Sequence, residues 1–90
     1  MKSRLKKEYK TRFSELRTLI NSWNLIPDSP TDEFDSINHL LLSQLYRESD
    51  TAKLRKILYF ELTNNYGLSV TENELDDWLD GVLQWWPQTP

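Results

Sequence analysis

The sequence predicts an all-α protein, a compact four-helix bundle of the up-down type with short loops, in a single domain spanning residues 1–90. Three observations carry this prediction. Apolar residues recur at spacings of three and four through four separate stretches, the rhythm of amphipathic helices. Between the stretches stand breakers: Pro27 and Pro30, then Ser49-Asp50-Thr51, then Gly67. No run alternates apolar and polar residues over a strand's length with turn signals on both sides.

The first helix is expected at about residues 3–23, with Leu5, Tyr9, Phe13, Leu16, Leu19, Ile20 and Trp23 on one face and cations over most of the other. Pro27 and Pro30 forbid helix and push the residue before each toward extended geometry, so the main loop lies here. The second helix is expected at 31–48. Ser29 can cap it, Pro30 suits the first helical position, and Asp32 and Glu33 sit where the helix dipole favours anions. Its core face is Phe34, Ile37, Leu41 and Leu45, widened by Leu40, Leu42 and Tyr46 into the stripe of a central, well-covered helix.

The third helix is expected at 51–66, carrying Leu54, Ile57, Leu58, Leu62 and Tyr66. Gly67 stops it, because only glycine takes the left-handed position after a helix without penalty, and Leu68 can supply the accompanying apolar contact. The fourth, at 72–86, opens on Thr71-Glu72-Asn73-Glu74, a capping box with hydroxyl and carboxylate three residues apart. Leu75, Trp78, Leu79, Val82, Leu83 and Trp86 follow the template, and Pro87 ends it.

Composition excludes several chemistries. A 90-residue chain buries about 60% or more of its unfolded surface, so a core without staples is feasible. With no cysteine there are no disulfides, thiolate ligands or cysteine nucleophile, which fits a reducing interior. The basic start is not followed by the apolar stretch of a signal peptide, and no window approaches the ~20 apolar residues of a membrane span. The expectation is a soluble, cytoplasmic protein. Net charge is −3 but polarised: residues 1–17 hold seven bases against two acids, a net of +5, whereas residues 68–90 hold five acids and no base, a net of −5. The two ends should attract each other, within one molecule or between two.

Catalytic signals are absent. His39 is the sole histidine, with no second histidine for a zinc site and no sequence signature of a triad, and its apolar neighbours place it at a helix seam. Gly67 and Gly81 are the only glycines, so there is no phosphate-cradling loop. Asp28, Asp32, Glu33 and Asp35 suggest a divalent cation or small-ligand site as an alternative, since hard cations take several carboxylates, but they lack the spacing of a helix-loop-helix calcium loop. The basic first helix offers a second alternative, contact with nucleic acid. The overall acidity, with pI ≈ 5.0, and the acids of the last helix oppose it.

Around the main loop, Trp23 to Asp35, then Ile37, the leucine-rich second helix and a third helix ending Tyr66-Gly67-Leu68 together resemble a family of short bacterial proteins of unassigned function. Those proteins carry a Trp-Asp-Pro stretch, then Asp-Glu-Tyr-Asp, then a helix closing with Phe-Gly. The likeness covers roughly residues 16–70: Asp32, Glu33 and Asp35 match, while Asn24-Leu25 stands for Asp-Pro and Phe34 for the tyrosine. The resemblance implies a bacterial, intracellular helical domain and brings no activity with it.

The resulting expectation is a protein without enzymatic activity, cofactor or metal, acting by protein–protein contact as an accessory, adaptor or immunity-like factor. Its partner is another protein or a second copy of itself. The expected surface joins Trp23, Asp28, Asp32, Glu33 and Asp35 to Trp78 and Trp85 near the chain's end. Aromatics would supply buried area there and the acids would select by charge. Trp85 and Trp86 point about 100° apart on a helix. If Trp86 continues the core stripe, Trp85 must leave it, either for a partner or to fold over the proline loop or beside Tyr46 or Tyr59.

Overall fold

A computed structural model of the chain describes residues 2–86, with side chains from Lys7 onward. Four α-helices account for most of it: α1 (Lys2–Ser22), α2 (Asp35–Tyr46), α3 (Thr51–Phe60) and α4 (Glu72–Trp85). No strand occurs among the described residues. Consecutive helices are the closest neighbours along the backbone, α1 on α2, α2 on α3 and α3 on α4. Side chains close the bundle between α1 and α4. Trp23 meets Trp78, Glu15 meets Trp85 and Arg12 meets Trp86, so numbers rise along α1 as they fall along α4 and the two run antiparallel. Leu5, Lys2, Arg4 and Lys6, assigned from the sequence to the two faces of α1, lie outside the described side chains.

The core takes Leu16 and Ile20 from α1, Ile37, Leu41, Leu42 and Leu45 from α2, Leu54 and Leu58 from α3, and Leu75, Leu79 and Val82 from α4, all buried, with Phe34 and Leu62. Two members of the expected α2 stripe do not join them. Leu40 is exposed because α2 is covered on the sides that face α1 and α3 but not all round, and Tyr46, the last residue of the helix, stays partly open although its ring packs on Tyr9 and Trp86.

The start of α2 also departs from expectation. Helix begins at Asp35 and ends at Tyr46, not at 31 and 48. Ser29 does not cap, and residues 31–34 form turns in which Glu33 N–H donates to Pro30 C=O and Asp35 N–H to Asp32 C=O. Tertiary bonds hold this shape. Asn21 Nδ2 donates to the Thr31 carbonyl at 2.9 Å, and Arg17 grips Asp35, so α1 fixes the turn before local capping preference can act. At the other end Glu48 takes φ 57°, and the N–H groups of Glu48 and Ser49 bond back to Leu45 and Gln44 in a Schellman closure built without glycine.

The third helix widens into a π-helical turn, Glu61–Asn65, before Gly67 at φ +63° reverses the chain. Leu68 N–H then reaches the Leu62 carbonyl at 2.9 Å, one residue further back than in an α-helical closure, because the π-turn holds an extra residue. The Thr71/Glu74 capping box forms as predicted, in both directions. Thr71→Ala removes the side-chain acceptor for Glu74 N–H and is expected to cost about 1 kcal/mol, read as a lower urea midpoint at unchanged m-value.

Candidate functional site

The residues of the expected surface fall into different environments. Trp23 and Trp78 come together, stacked with ring centroids 5.4 Å apart and planes 17° apart, where the end of α1 meets α4. Both are half-buried against the core and line a small cleft of about 110 Å³ with Leu68, Val70 and Glu74. Trp85 is half-buried too, its indole N–H donating to Glu15 Oε1 at 3.3 Å. It therefore packs on α1, not on the proline loop or beside Tyr46 or Tyr59. The Tyr46 neighbour is Trp86, edge-on at 5.1 Å, with the Arg12 guanidinium 4.2 Å from the Trp86 ring centroid.

The acids also separate. Asp35 receives Arg17 on both oxygens, Nε at 3.0 Å on Oδ1 and the terminal nitrogen on Oδ2. That bond is the main reason the Arg17 guanidinium is raised above its ordinary value. Asp28, Asp32 and Glu33 remain exposed, Asp28 in the left-handed region at φ 66°. Of the four, only Asp28 borders the loop's own cleft of about 150 Å³. Tyr66 staples the loop to the end of α3, its hydroxyl donating to the Glu33 carbonyl at 2.8 Å and its ring tilting on Phe34 at 5.0 Å. No group of three or more carboxylate or imidazole side chains gathers into a possible metal site among the described residues.

His39 does lie at the α1–α2 seam, though exposed: its Nδ1 is 2.9 Å from the Tyr9 hydroxyl and its ring 4.4 Å from that of Phe13. Burial, and then the nearby Tyr46, raise the Tyr9 hydroxyl above its ordinary pKa. Among the described residues the α4 acid in an ion pair is Asp76, held at 2.8 Å by Arg55 of α3, while Arg12 pairs with Glu8 along α1. Arg12 and Arg17 are thus committed inside the fold, which thins the basic face proposed for nucleic acid.

One surface was not anticipated. Between α2 and α3 runs an open groove of about 460 Å³ lined by Leu40, Lys53, Lys56, Ile57, Phe60 and Glu61. Phe60 is 58% exposed and Leu40 38%. Covering the free part of Phe60 would contribute on the order of 1 kcal/mol. Glu61 is the converse case, an acidic residue only 7% exposed overall. It accepts one hydrogen bond, from the Asn65 amide across the π-turn, and no cation pairs with it among the described residues. The sequence does carry a trace of this groove. Lys53, Ile57 and Phe60 repeat at four and three, a second stripe offset from the core stripe of Leu54, Leu58 and Leu62.

Comparison with family models, with curated proteins and with solved structures finds no match to the chain. No helix among the described residues is long and apolar enough to cross a membrane.

Proposed function

We propose that this chain is a non-enzymatic helical protein that works by holding another protein chain, in the manner of an accessory, adaptor or immunity-like factor. The observation that supports this reading is the uncovered apolar groove of Leu40, Ile57 and Phe60 between α2 and α3. Elsewhere the tryptophans already have partners inside the fold: Trp23 has Trp78, Trp85 has Glu15, and Trp86 has Arg12 and Tyr46. A half-exposed phenylalanine framed by lysine stems is the composition of an interface centre with a charged rim. The exposed acids Asp28, Asp32 and Glu33 are left to bias partner choice by charge.

The test is a comparison of the full chain with Phe60→Ser, both shown to be helical and equally stable. The reading expects a saturable interaction with a defined protein, or with the chain itself, that the substitution weakens at least roughly tenfold. Equal binding by both proteins removes the groove from the reading. Calorimetric binding of magnesium, calcium or manganese that is lost in Asp32→Asn with Asp35→Asn would replace it with the metal-site alternative.

A further inference from the structure

We infer that the occupant of the α2–α3 groove is a second copy of the same groove, brought up antiparallel across a two-fold axis near Ile57. The inference rests on the protein-binding reading above and names its partner. Lys53 stands at one end of the groove, Ile57 midway and Glu61 at the other end, four residues apart in each step. Lys53 and Glu61 are therefore about 12 Å apart along the axis, one base and one acid placed evenly about an apolar centre.

That order selects the partner by charge. An acidic helix laid in the groove meets the Glu61 carboxylate, and a basic helix meets Lys53 and Lys56. The segment that satisfies both ends is apolar in the middle, acidic opposite Lys53 and basic opposite Glu61. Reversed α3 has this pattern. Two copies antiparallel about Ile57 place each Lys53 beside the other's Glu61, bring the two Ile57 side chains together, and lay each Phe60 against the other chain's α3 beside Lys53. An isologous contact of this kind closes on itself as a dimer.

Glu61 supplies a second, independent reason. An ionised carboxylate has about four lone-pair sites to fill. Glu61 is 7% exposed as a residue, its carboxylate accepts a single amide hydrogen bond, and it lines the open groove. A lysine ammonium from a second copy, entering along the groove, adds a counter-charge to this carboxylate. The contact is small beside the roughly 800 Å² per partner of a standard stable interface, so the dimer is a weak, reversible one.

The chain contains no cysteine, which permits a direct test on the full-length protein. Ile57→Cys is expected to form a disulfide-linked dimer readily under mild oxidation, because symmetry brings the two introduced thiols within bonding reach. Tyr59→Cys, half exposed but turned off the groove, serves as the control and should cross-link far more slowly. In sedimentation over a concentration series, the parent chain should show a monomer–dimer equilibrium weakened roughly tenfold by Phe60→Ser or Lys53→Glu and weakened also by added salt. A parent chain that stays monomeric at millimolar concentration overturns the inference, as does equal cross-linking at positions 57 and 59. If a foreign protein nevertheless binds in a Phe60-dependent way, the proposed function stands and only the identity of the occupant has failed. If neither a copy nor a foreign protein depends on Phe60, both fall.

Discussion

Leu58→Ala is expected to lower the unfolding free energy by about 2–5 kcal/mol. Leu58 is fully buried on α3, and α3 is packed by α2 on one side and α4 on the other. Removing its branched end deletes the transfer free energy of the lost carbons and leaves a cavity between helices that are pinned from several directions. Arg55 to Asp76 ties α3 to α4, and the Asp50 cap, which accepts from Lys53 N–H at 2.9 Å, fixes its start. Little relaxation is available, which puts the cost toward the upper part of that range. Against a total of about 5–15 kcal/mol for a small domain the loss is large. Urea unfolding followed by tryptophan fluorescence measures it. Phe60→Ala, two residues away on the exposed side, is the internal reference and should change stability by about 0.5 kcal/mol or less. Similar losses at the two positions would mean that the α3 core face has been assigned to the wrong side.

The second large effect is expected at Asn38, the one uncharged polar side chain among the buried residues described. Its Nδ2 donates to the Phe13 carbonyl at 2.9 Å, while its Oδ1 has no hydrogen-bond partner. Asn38→Asp removes the amide donor and sets a carboxylate against that carbonyl in a fully buried place. Burial and the facing oxygen both favour the neutral acid, so the folded-state pKa is raised above the unfolded value of about 3.9. The folded state then holds a proton that the unfolded state releases, and stability falls as pH rises. Relative to the parent at each pH, the variant should be least impaired below about pH 4. It should lose about 1.4 kcal/mol per pH unit above that, until the raised folded-state pKa is reached. A raise of about 2–3 units gives a deficit of about 3–4 kcal/mol at neutral pH. Asn38→Leu keeps the shape, discards the unmatched Oδ1, and leaves Phe13 its own helical hydrogen bond, so a change within about 1 kcal/mol is expected. Thermal unfolding of the two variants from pH 3 to 8 distinguishes them. A pH-independent deficit in Asn38→Asp would show that water reaches the side chain.

The number, order and kind of the helices could be read from the chain because each signal is local. The four-residue spacing of Leu54, Leu58 and Leu62, the Thr71/Glu74 capping box and the reversal at Gly67 each lie within a turn or two of sequence and each is realised, whereas Ile57, expected on the same stripe, turns to the groove. The start of α2 could not be read the same way. Ser29, Pro30, Asp32 and Glu33 are good local opening signals, yet Asn21 and Arg17 hold Thr31 and Asp35 from another helix. Those bonds are between residues 10 and 18 positions apart, outside any local window.

The candidate surface divides along the same line. Sequence alone picked out Trp23, Trp78 and Trp85 as residues that need cover, but which of them find it inside the fold depends on the antiparallel register of α1 and α4. Likewise, Leu40 and Phe60 belong to apolar-rich helices, and the packing of α2 against α3 decides that they stand in the open. What the chain by itself determined is where helices form and which stripe of each is greasy, since periodicity and capping act over a few residues. The tertiary structure alone decided which faces are left over, because burial is shared among helices distant in sequence.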